Sequence, residues 1–208
     1  MAVTSAPNGA PTSQRERQRI ETRERLFQAA VAEFRHVGVA DAQIPAIAEA
    51  AGVVRGTFYF HFPSKEHVLL ELVDRREQEL AAGLQALAEQ GASLEEVLDS
   101  LQREMEPKAG EEASPELVRE IVAMQLRTPV DPEQGPRESA VYDALVQLFA
   151  DLADRGGLRC DIGPEPLAAM VMTSVFGMAI ARGASPDDRR NPTPDQLTAL
   201  LIPGLRPA

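Results

Sequence analysis

The sequence predicts an all-α fold of about nine helices, three short ones at the N-terminus and then a larger helical bundle. In almost every periodic segment, apolar residues recur at intervals of three and four, which is the spacing of one face of an α-helix. No segment shows the alternation of apolar and polar residues that is typical of a half-buried strand. Gly and Pro stand between the periodic segments, where they are suited to end one helix and precede the next.

The first three helices are predicted within residues 15–65. The first helix ends at Gly38, because glycine is a natural helix stop. Its amphipathic face consists of Phe27, Val31, Phe34 and Val37. A short, Ala-rich helix follows over residues 44–51. A third helix is predicted over residues 55–62, because Pro63 cannot continue it.

Six further helices are predicted beyond this point, each bounded by Gly, Pro or a capping residue. Ser64 is suited to cap the helix that begins near Lys65. Ser93 and Glu96 have the spacing of a capping box for a helix that runs to about Glu106. A polar linker over 107–113 and a Pro-rich loop over 128–136 flank the sixth helix. The last four helices are predicted over residues 115–126, 137–153, 164–184 and 195–202.

The composition indicates a chain that buries a core in a reducing compartment. Of the 208 residues, 44% are apolar, and a single cysteine excludes an internal disulfide framework and a cysteine-rich zinc site. No window approaches the roughly eighteen apolar residues of a membrane span. Residues 1–14 lack the basic start and apolar core of a signal peptide, and we expect a disordered tail there. These features predict a cytoplasmic protein without a membrane partner.

The charge is distributed unevenly along the chain. The net charge is −11, yet residues 1–65 hold 8 basic and 6 acidic residues, a net charge of +2. Residues 66–208 therefore carry a net charge of −13. The mildly basic N-terminal third favours a polyanionic partner. The alternative is an acidic domain whose charge only keeps it soluble.

Residues 44–62 have the pattern of a helix-turn-helix. Ala48 is small enough for two helices to cross closely, and Gly52 can adopt the positive φ of a tight turn. The small core between the helices would consist of Ile47, Val53 and Phe58. An ordinary helical hairpin is the alternative, since such corners are common.

The third helix is rich in aromatic residues, with four of the chain's nine at Phe58, Tyr59, Phe60 and Phe62. Phe58 and Phe62 are four residues apart, so we expect both to pack inward and anchor the helix. The side chains left outside can bind phosphate oxygens: Arg55, Thr57, Tyr59, His61 and, at the next helix N-terminus, Lys65. Gly56 lets the backbone approach a groove wall. Phe60 either packs on the flank of the first helix or touches sugar and phosphate.

The run AIAEAAGVVRGTFYFHFPSKEHVL resembles the helix-turn-helix of TetR/AcrR-family transcriptional regulators. The resemblance covers about residues 15–75 and is architectural beyond them. It implies a helix-turn-helix DNA-binding domain over residues 15–65 and a ligand-binding and dimerisation domain over residues 66–208. The implied DNA contacts are Arg55, Gly56, Thr57, Tyr59, His61 and Lys65, with Tyr59 and Lys65 chiefly on phosphates. The chain departs from the family at Val54 and Gln43, where many members have Ser or Thr.

Five arginines near the N-terminus have two interpretations. They add phosphate or minor-groove contacts, or they form solvated pairs with Glu16, Glu21 and Glu24. These arginines are Arg15, Arg17, Arg19, Arg23 and Arg25.

The resemblance also implies an effector pocket and a dimer interface in the second domain. Candidate ligand-binding residues are Met105, Met124, Tyr142, Phe149, Met170 and Phe176, although Met on an apolar helix face is more often plain core. Apolar stripes on the last two helices would pair with their copies in a homodimer, or face the core of the same chain. The stripes consist of Leu167, Met170, Val171, Ser174, Val175 and Met178, and of Leu197, Leu200 and Leu201.

These observations predict a ligand-responsive, DNA-binding transcriptional regulator. We expect a repressor released from a palindromic operator by a small, partly apolar effector, with half-sites ~34 Å apart. A ligand-independent DNA-binding or architectural protein is the alternative. An enzyme is not expected, because His36, His61 and His67 with one cysteine offer no catalytic or metal-ligand spacing. No cofactor is implied.

Overall fold

The computed structural model describes residues 13–105, 139–158, 161–184, 188 and 191–206, with single residues between 117 and 124. The described part contains eight helices and no strand. They are α1 (Gln14–Asp41), α2 (Ile44–Ala50), α3 (Arg55–His61), α4 (Lys65–Glu89), α5 (Leu94–Met105), α6 (Ala140–Asp154), α7 (Pro164–Ala184) and α8 (Pro194–Leu205). The predicted all-α fold class is confirmed.

Some predictions fall on residues outside this description. They are residues 1–12 of the tail predicted over 1–14, the linker over 107–113, the loop over 128–136 and the environment of Cys160. Within the predicted sixth helix, Leu117, Glu120, Ile121, Ala123 and Met124 are helical. The described helix bounds lie within three residues of the predicted ones from α2 onwards, because capping residues and Gly or Pro mark most ends.

The chain divides into two compact units, which separate after Leu70 within α4. In unit 1, α1 begins at the cap residue Ser13, whose side chain accepts a hydrogen bond from the Glu16 N–H at 3.2 Å. Gly38 interrupts α1 with φ 80° and ψ 161°, a conformation that glycine tolerates and other residues avoid. The inward face of α1 contains Leu26, Phe27, Ala30, Val31 and Phe34. Val37 is exposed and does not belong to it.

The corner between α2 and α3 forms as the sequence indicates. Ala48 is buried where the helices meet, and its carbonyl accepts a hydrogen bond from the Val53 N–H at 2.9 Å. Gly52 makes the turn with φ 67°. Ile47 and Phe58 are fully buried. Unit 1 is therefore a helix-turn-helix whose second helix, α3, is held to the domain by one face.

Unit 2 is a helical bundle with its own core. In this core α6 packs on α7, while α5 contacts α7 and α8. The capping box at Ser93 is confirmed, because its N–H donates to the Glu96 carboxylate at 2.7 Å and its hydroxyl accepts from the Glu96 N–H. A buried amide, Gln102, donates to the Thr198 hydroxyl of α8 at 2.7 Å. None of the described helices is long and apolar enough to cross a lipid bilayer.

Candidate nucleic-acid interface

The short helix α3 has one anchored face and one free face. Phe58 and Phe62 have no exposed surface, and their ring centroids lie 5.9 Å apart. A helix of seven residues has too few backbone hydrogen bonds to be stable alone, so this burial holds α3 in place. The exposed residues are Arg55, Gly56, Tyr59 and Phe60, while Thr57 and His61 are half-buried.

The centre of the free face is occupied by Gly56 and Phe60. Successive helical residues are rotated by roughly 100°, so residues two positions away from Phe58 point to the opposite side. Gly56 precedes Phe58 by two positions and Phe60 follows it by two. Tyr59 lies on one flank of this centre, and Thr57 lies on the other. The free face therefore has an apolar ring and a bare stretch of backbone at its middle, with polar groups beside them.

Arg55 and Tyr59 form one polar edge of α3. The Arg55 guanidinium lies 5.8 Å from the centroid of the Tyr59 ring, and its Nη2 is 3.5 Å from the Tyr59 hydroxyl. The Phe58 ring packs edge-on against the Tyr59 ring, with 5.7 Å between the ring centroids. The pair presents a cation and a hydroxyl together, which is a suitable combination for a phosphate oxygen.

His61 is held as a neutral imidazole near pH 7. Partial burial lowers the pKa of His61 below its usual value, and the positive charges of Arg23 and Arg19 lower it further. The His61 ring packs edge-on against the Phe60 ring, with 5.1 Å between the ring centroids. A neutral imidazole has one donor and one acceptor, so at this position it is suited to a base edge more than to a phosphate.

Lys65 has a different environment from the one the sequence suggests. Its ammonium donates to three backbone carbonyls at the end of α1 and the turn after it, those of Val39 at 2.6 Å, Ala40 at 2.9 Å and Ala42 at 3.0 Å. An ammonium has three donors, and all three have partners within unit 1. In this structure Lys65 therefore ties the turn between α1 and α2 to the start of α4. Its contact with phosphate stays a prediction.

Arg23 has a role at this site that sequence reasoning missed. Its guanidinium lies 4.1 Å from the centroid of the Phe62 ring and donates to the carbonyl of His61 at the C-terminal end of α3. A cation at a helix C-terminus is favourable, so Arg23 fixes the end of α3 against α1. The available signal was its spacing, because Arg23 lies four residues before Phe27 on the inward face of α1.

The remaining arginines have mixed environments. Arg19 pairs with Glu16 at 2.9 Å, and both side chains are largely exposed, so the pair adds little stability. The Nη2 of Arg25 lies 3.5 Å from the Thr22 hydroxyl. Val54 and Gln43, the two departures from the family pattern, begin α3 and α2 without a side-chain capping hydrogen bond.

Comparison with known proteins agrees with this geometry. Residues 26–72 match the family model described as bacterial regulatory proteins, tetR family. Over these residues the chain matches the TetR family. The match covers α2, α3 and most of α1, which are the elements that present the free face.

The relatives of this chain share its N-terminal segment. It is 50% identical over 54 residues to the HTH-type transcriptional regulator EthR of Mycobacterium tuberculosis, and the segment covers 26% of this chain and 25% of EthR. It is 43% identical over 60 residues to the HTH-type transcriptional regulator SrpR of Pseudomonas putida, covering 29% and 28% of the two chains. The similarity thus spans about a quarter of the length of these relatives.

Solved structures resemble this chain over most of its length. A SmeT–triclosan complex has a TM-score of 0.63 at 22% identity, covering 89% of this chain and 92% of that one. FadR of Thermus thermophilus, a TetR-family transcriptional repressor in complex with lauroyl-CoA, has a TM-score of 0.59 at 26% identity, covering 86% and 92%. The helical second unit therefore has the architecture of known TetR-family structures.

The described residues of the suggested effector site lie in different surroundings. Phe149 is enclosed in the core of unit 2, and Tyr142 packs beside that core with its hydroxyl 3.3 Å from the Glu165 carbonyl. Met170 is 58% exposed and Phe176 is also exposed, so the two do not share the enclosed surroundings of Phe149, and their contact with an effector stays a prediction. Met124 is helical and half-buried, and the Met105 side chain lies outside the described residues.

The apolar stripe predicted on α7 is largely buried, and a second apolar face of the same helix is exposed. Leu167, Val171, Val175 and Met178 face the core of unit 2. The opposite face is exposed and almost free of charge; it consists of Ala169, Met170, Thr173, Phe176, Gly177 and Ile180. On α8, Leu197 is buried, whereas Leu200 is 75% exposed. The expectation that the whole stripe has one role is corrected, since α7 has two apolar faces.

Proposed function

We propose that this chain is a homodimeric transcriptional regulator that binds a palindromic DNA operator through α3. A small, partly apolar effector bound in unit 2 releases it, so it acts as a repressor. The observation that carries the proposal is the division of α3, in which two fully buried rings hold a seven-residue helix so that its free face projects outward. A helix anchored in this way can enter the major groove of B-DNA without losing its own packing.

The free face supports both kinds of DNA contact. Arg55 and Tyr59 offer a cation and a hydroxyl to phosphates, which fix the register of the helix on the duplex. Thr57 and the neutral imidazole of His61 offer hydrogen bonds to base edges. Gly56 leaves the backbone uncovered at the centre. The helix therefore carries positioning groups on one flank and base-reading groups on the other.

The exposed faces of α7 and α8 support a dimer. Single exposed apolar residues are ordinary, but six small or apolar residues on one helix face form a continuous surface. Leu200 adds a large apolar side chain from α8. Pairing these faces with their copies by a two-fold axis removes them from water and gives two α3 helices for two half-sites.

An effector site in unit 2 is supported by ligands of similar proteins. SmeT is known in complex with triclosan and FadR of Thermus thermophilus with lauroyl-CoA, and both ligands have large apolar parts. In this chain the effector candidates outside the exposed face of α7 are Met105, Met124, Tyr142 and Phe149. An effector lowers DNA affinity only if it binds the DNA-free conformation more tightly, and by no more than that difference.

The test is selection of duplexes from a random library by the full chain, followed by affinity measurements from low to physiological salt. We expect an inverted repeat that binds at least about a thousandfold more tightly than random duplex at physiological salt. Equal affinity for both duplexes would instead favour the ligand-independent architectural protein. Triclosan and lauroyl-CoA are the first probes for release, and loss of DNA binding on addition of either supports the effector site.

A further inference from the structure

Phe60 has an apolar ring that does not pack into the described part of the protein. Its side chain is 73% exposed, so the ring is not buried on the flank of α1, which was one of its two expected positions. Its ring contact within the described chain is with His61, edge-on at 5.1 Å. A phenyl ring left in water forgoes the stabilisation that its burial would contribute. The ring is therefore available to pack against a surface outside the chain.

The second observation concerns Gly56, which lies one helical turn before Phe60 and is glycine without a structural need. It lies in α3 with no positive φ, so its backbone conformation does not require glycine. A Cβ atom built there meets no atom within 4 Å, so packing within the described chain does not require glycine either. Glycine lowers helix stability relative to alanine. The absence of a side chain beside an exposed ring is explained by a partner surface that comes close to the backbone.

We propose that Phe60 is a specificity-determining residue that places its ring against thymine C5-methyl groups in the major groove, with Gly56 admitting the edge of the groove. The proposal rests on DNA binding as described above. In the major groove every base pair presents hydrogen-bond donors or acceptors, and the thymine methyl is the apolar feature among them. A phenyl ring over a G·C pair leaves donors and acceptors without partners, which disfavours that pair.

The neighbouring residues restrict where the ring can lie. Phe60 sits at the centre of the free face, while Arg55 and Tyr59 form its polar edge. Phosphates border the major groove and base edges lie at its floor. The polar edge of α3 therefore meets the DNA backbone, and the ring of Phe60 meets the bases. Contact of Phe60 with deoxyribose is the competing position, and it predicts no dependence on the base.

The experiment replaces thymines of the selected duplex with deoxyuridine one at a time, which removes only the methyl group. Dissociation constants are measured for the full-length wild type, Phe60→Ala and Tyr59→Phe at one salt concentration. For wild type, we expect deoxyuridine to lower the affinity about three- to fivefold at one or more thymine positions in each half-site, which corresponds to the loss of one buried methyl group. Phe60→Ala should bind the thymine duplex less tightly and show no further loss with deoxyuridine.

Tyr59→Phe is the matched control, because it changes the polar edge of the same helix. It should weaken binding to all duplexes and keep the deoxyuridine effect. The proposal is overturned if Phe60→Ala keeps the effect at every sensitive thymine, or if Phe60→Ala weakens all duplexes equally and no thymine is sensitive. Failure of the wild type to select any duplex overturns the proposed function itself, and the two failures are thus distinguishable.

Discussion

Gly56→Ala should make the protein more stable and a weaker DNA binder at the same time. Both effects follow from the position of Gly56 in the first turn of α3, on the free face. An added methyl group meets no atom of the described chain within 4 Å, so it causes no internal clash. Opposite signs for stability and binding distinguish a functional glycine from a structural one.

The stability gain comes from helix propensity. Alanine stabilises a helix by about 0.5–1 kcal/mol relative to glycine, and the lower value applies in a first turn. For a unit the size of unit 1, this corresponds to a rise in Tm of about 2–4 °C. Thermal unfolding followed by circular dichroism measures this shift. Hydrogen exchange of the α3 amides reports the same gain locally.

The loss of binding comes from the same methyl group. It would stand between the α3 backbone and the edge of the groove, where tight packing makes an added methyl cost about 1–3 kcal/mol. That is a loss of affinity of about five- to 150-fold, measured by fluorescence anisotropy on the selected duplex. The loss should be similar at all salt concentrations, because no phosphate contact is removed.

Two other glycines are matched controls. Gly83 lies inside α4, and a methyl group added there meets no atom within 4 Å, so Gly83→Ala should stabilise without changing DNA affinity. Gly38 also has open space, but its φ of 80° makes Gly38→Ala destabilising by about 1–3 kcal/mol. If Gly56→Ala binds DNA as tightly as wild type, the free face of α3 is not the interface. If it lowers Tm, our account of its local conformation is wrong.

Four further predictions concern other parts of the chain. Arg23→Ala should lower the unfolding free energy in urea by about 2 kcal/mol, since the His61 carbonyl and the Phe62 ring lose their cation, and Arg23→Lys should restore less than half. Lys65→Gln should lower Tm, because three backbone carbonyls lose their donor, and an unchanged Tm would contradict those contacts; the predicted phosphate contact is tested separately by the salt dependence of DNA binding, whose slope should become smaller by about one unit. The free energy of unfolding should fall as pH drops through about 6.5, because the pKa of His61 is lower in the folded chain and the unfolded chain therefore takes up the proton more readily. His61→Gln should reduce this dependence of stability on pH. Leu200→Asp should give a monomer in sedimentation experiments, and an unchanged dimer would place the interface elsewhere.

Features that depend on neighbours three or four residues away could be predicted from the sequence alone. Helix periodicity, the capping box at Ser93, the turn at Gly52 and the anchoring of Phe58 and Phe62 are all of this kind. Each is decided by local backbone geometry, which the order of residues encodes directly. The family of the N-terminal domain was recognisable for the same reason, because its motif is a contiguous local pattern.

Contacts between polar groups that are far apart along the chain follow from how the helices pack, and only the folded structure reveals them. The Lys65 ammonium bonds to carbonyls 23 to 26 residues away, and Arg23 reaches a carbonyl 38 residues away. The packing also divided the apolar residues of α7 into a buried and an exposed face, which separated Met170 from Phe149. Apolar residues on every side of a helix look alike in sequence, and only the packing of other helices determines which of them leave water.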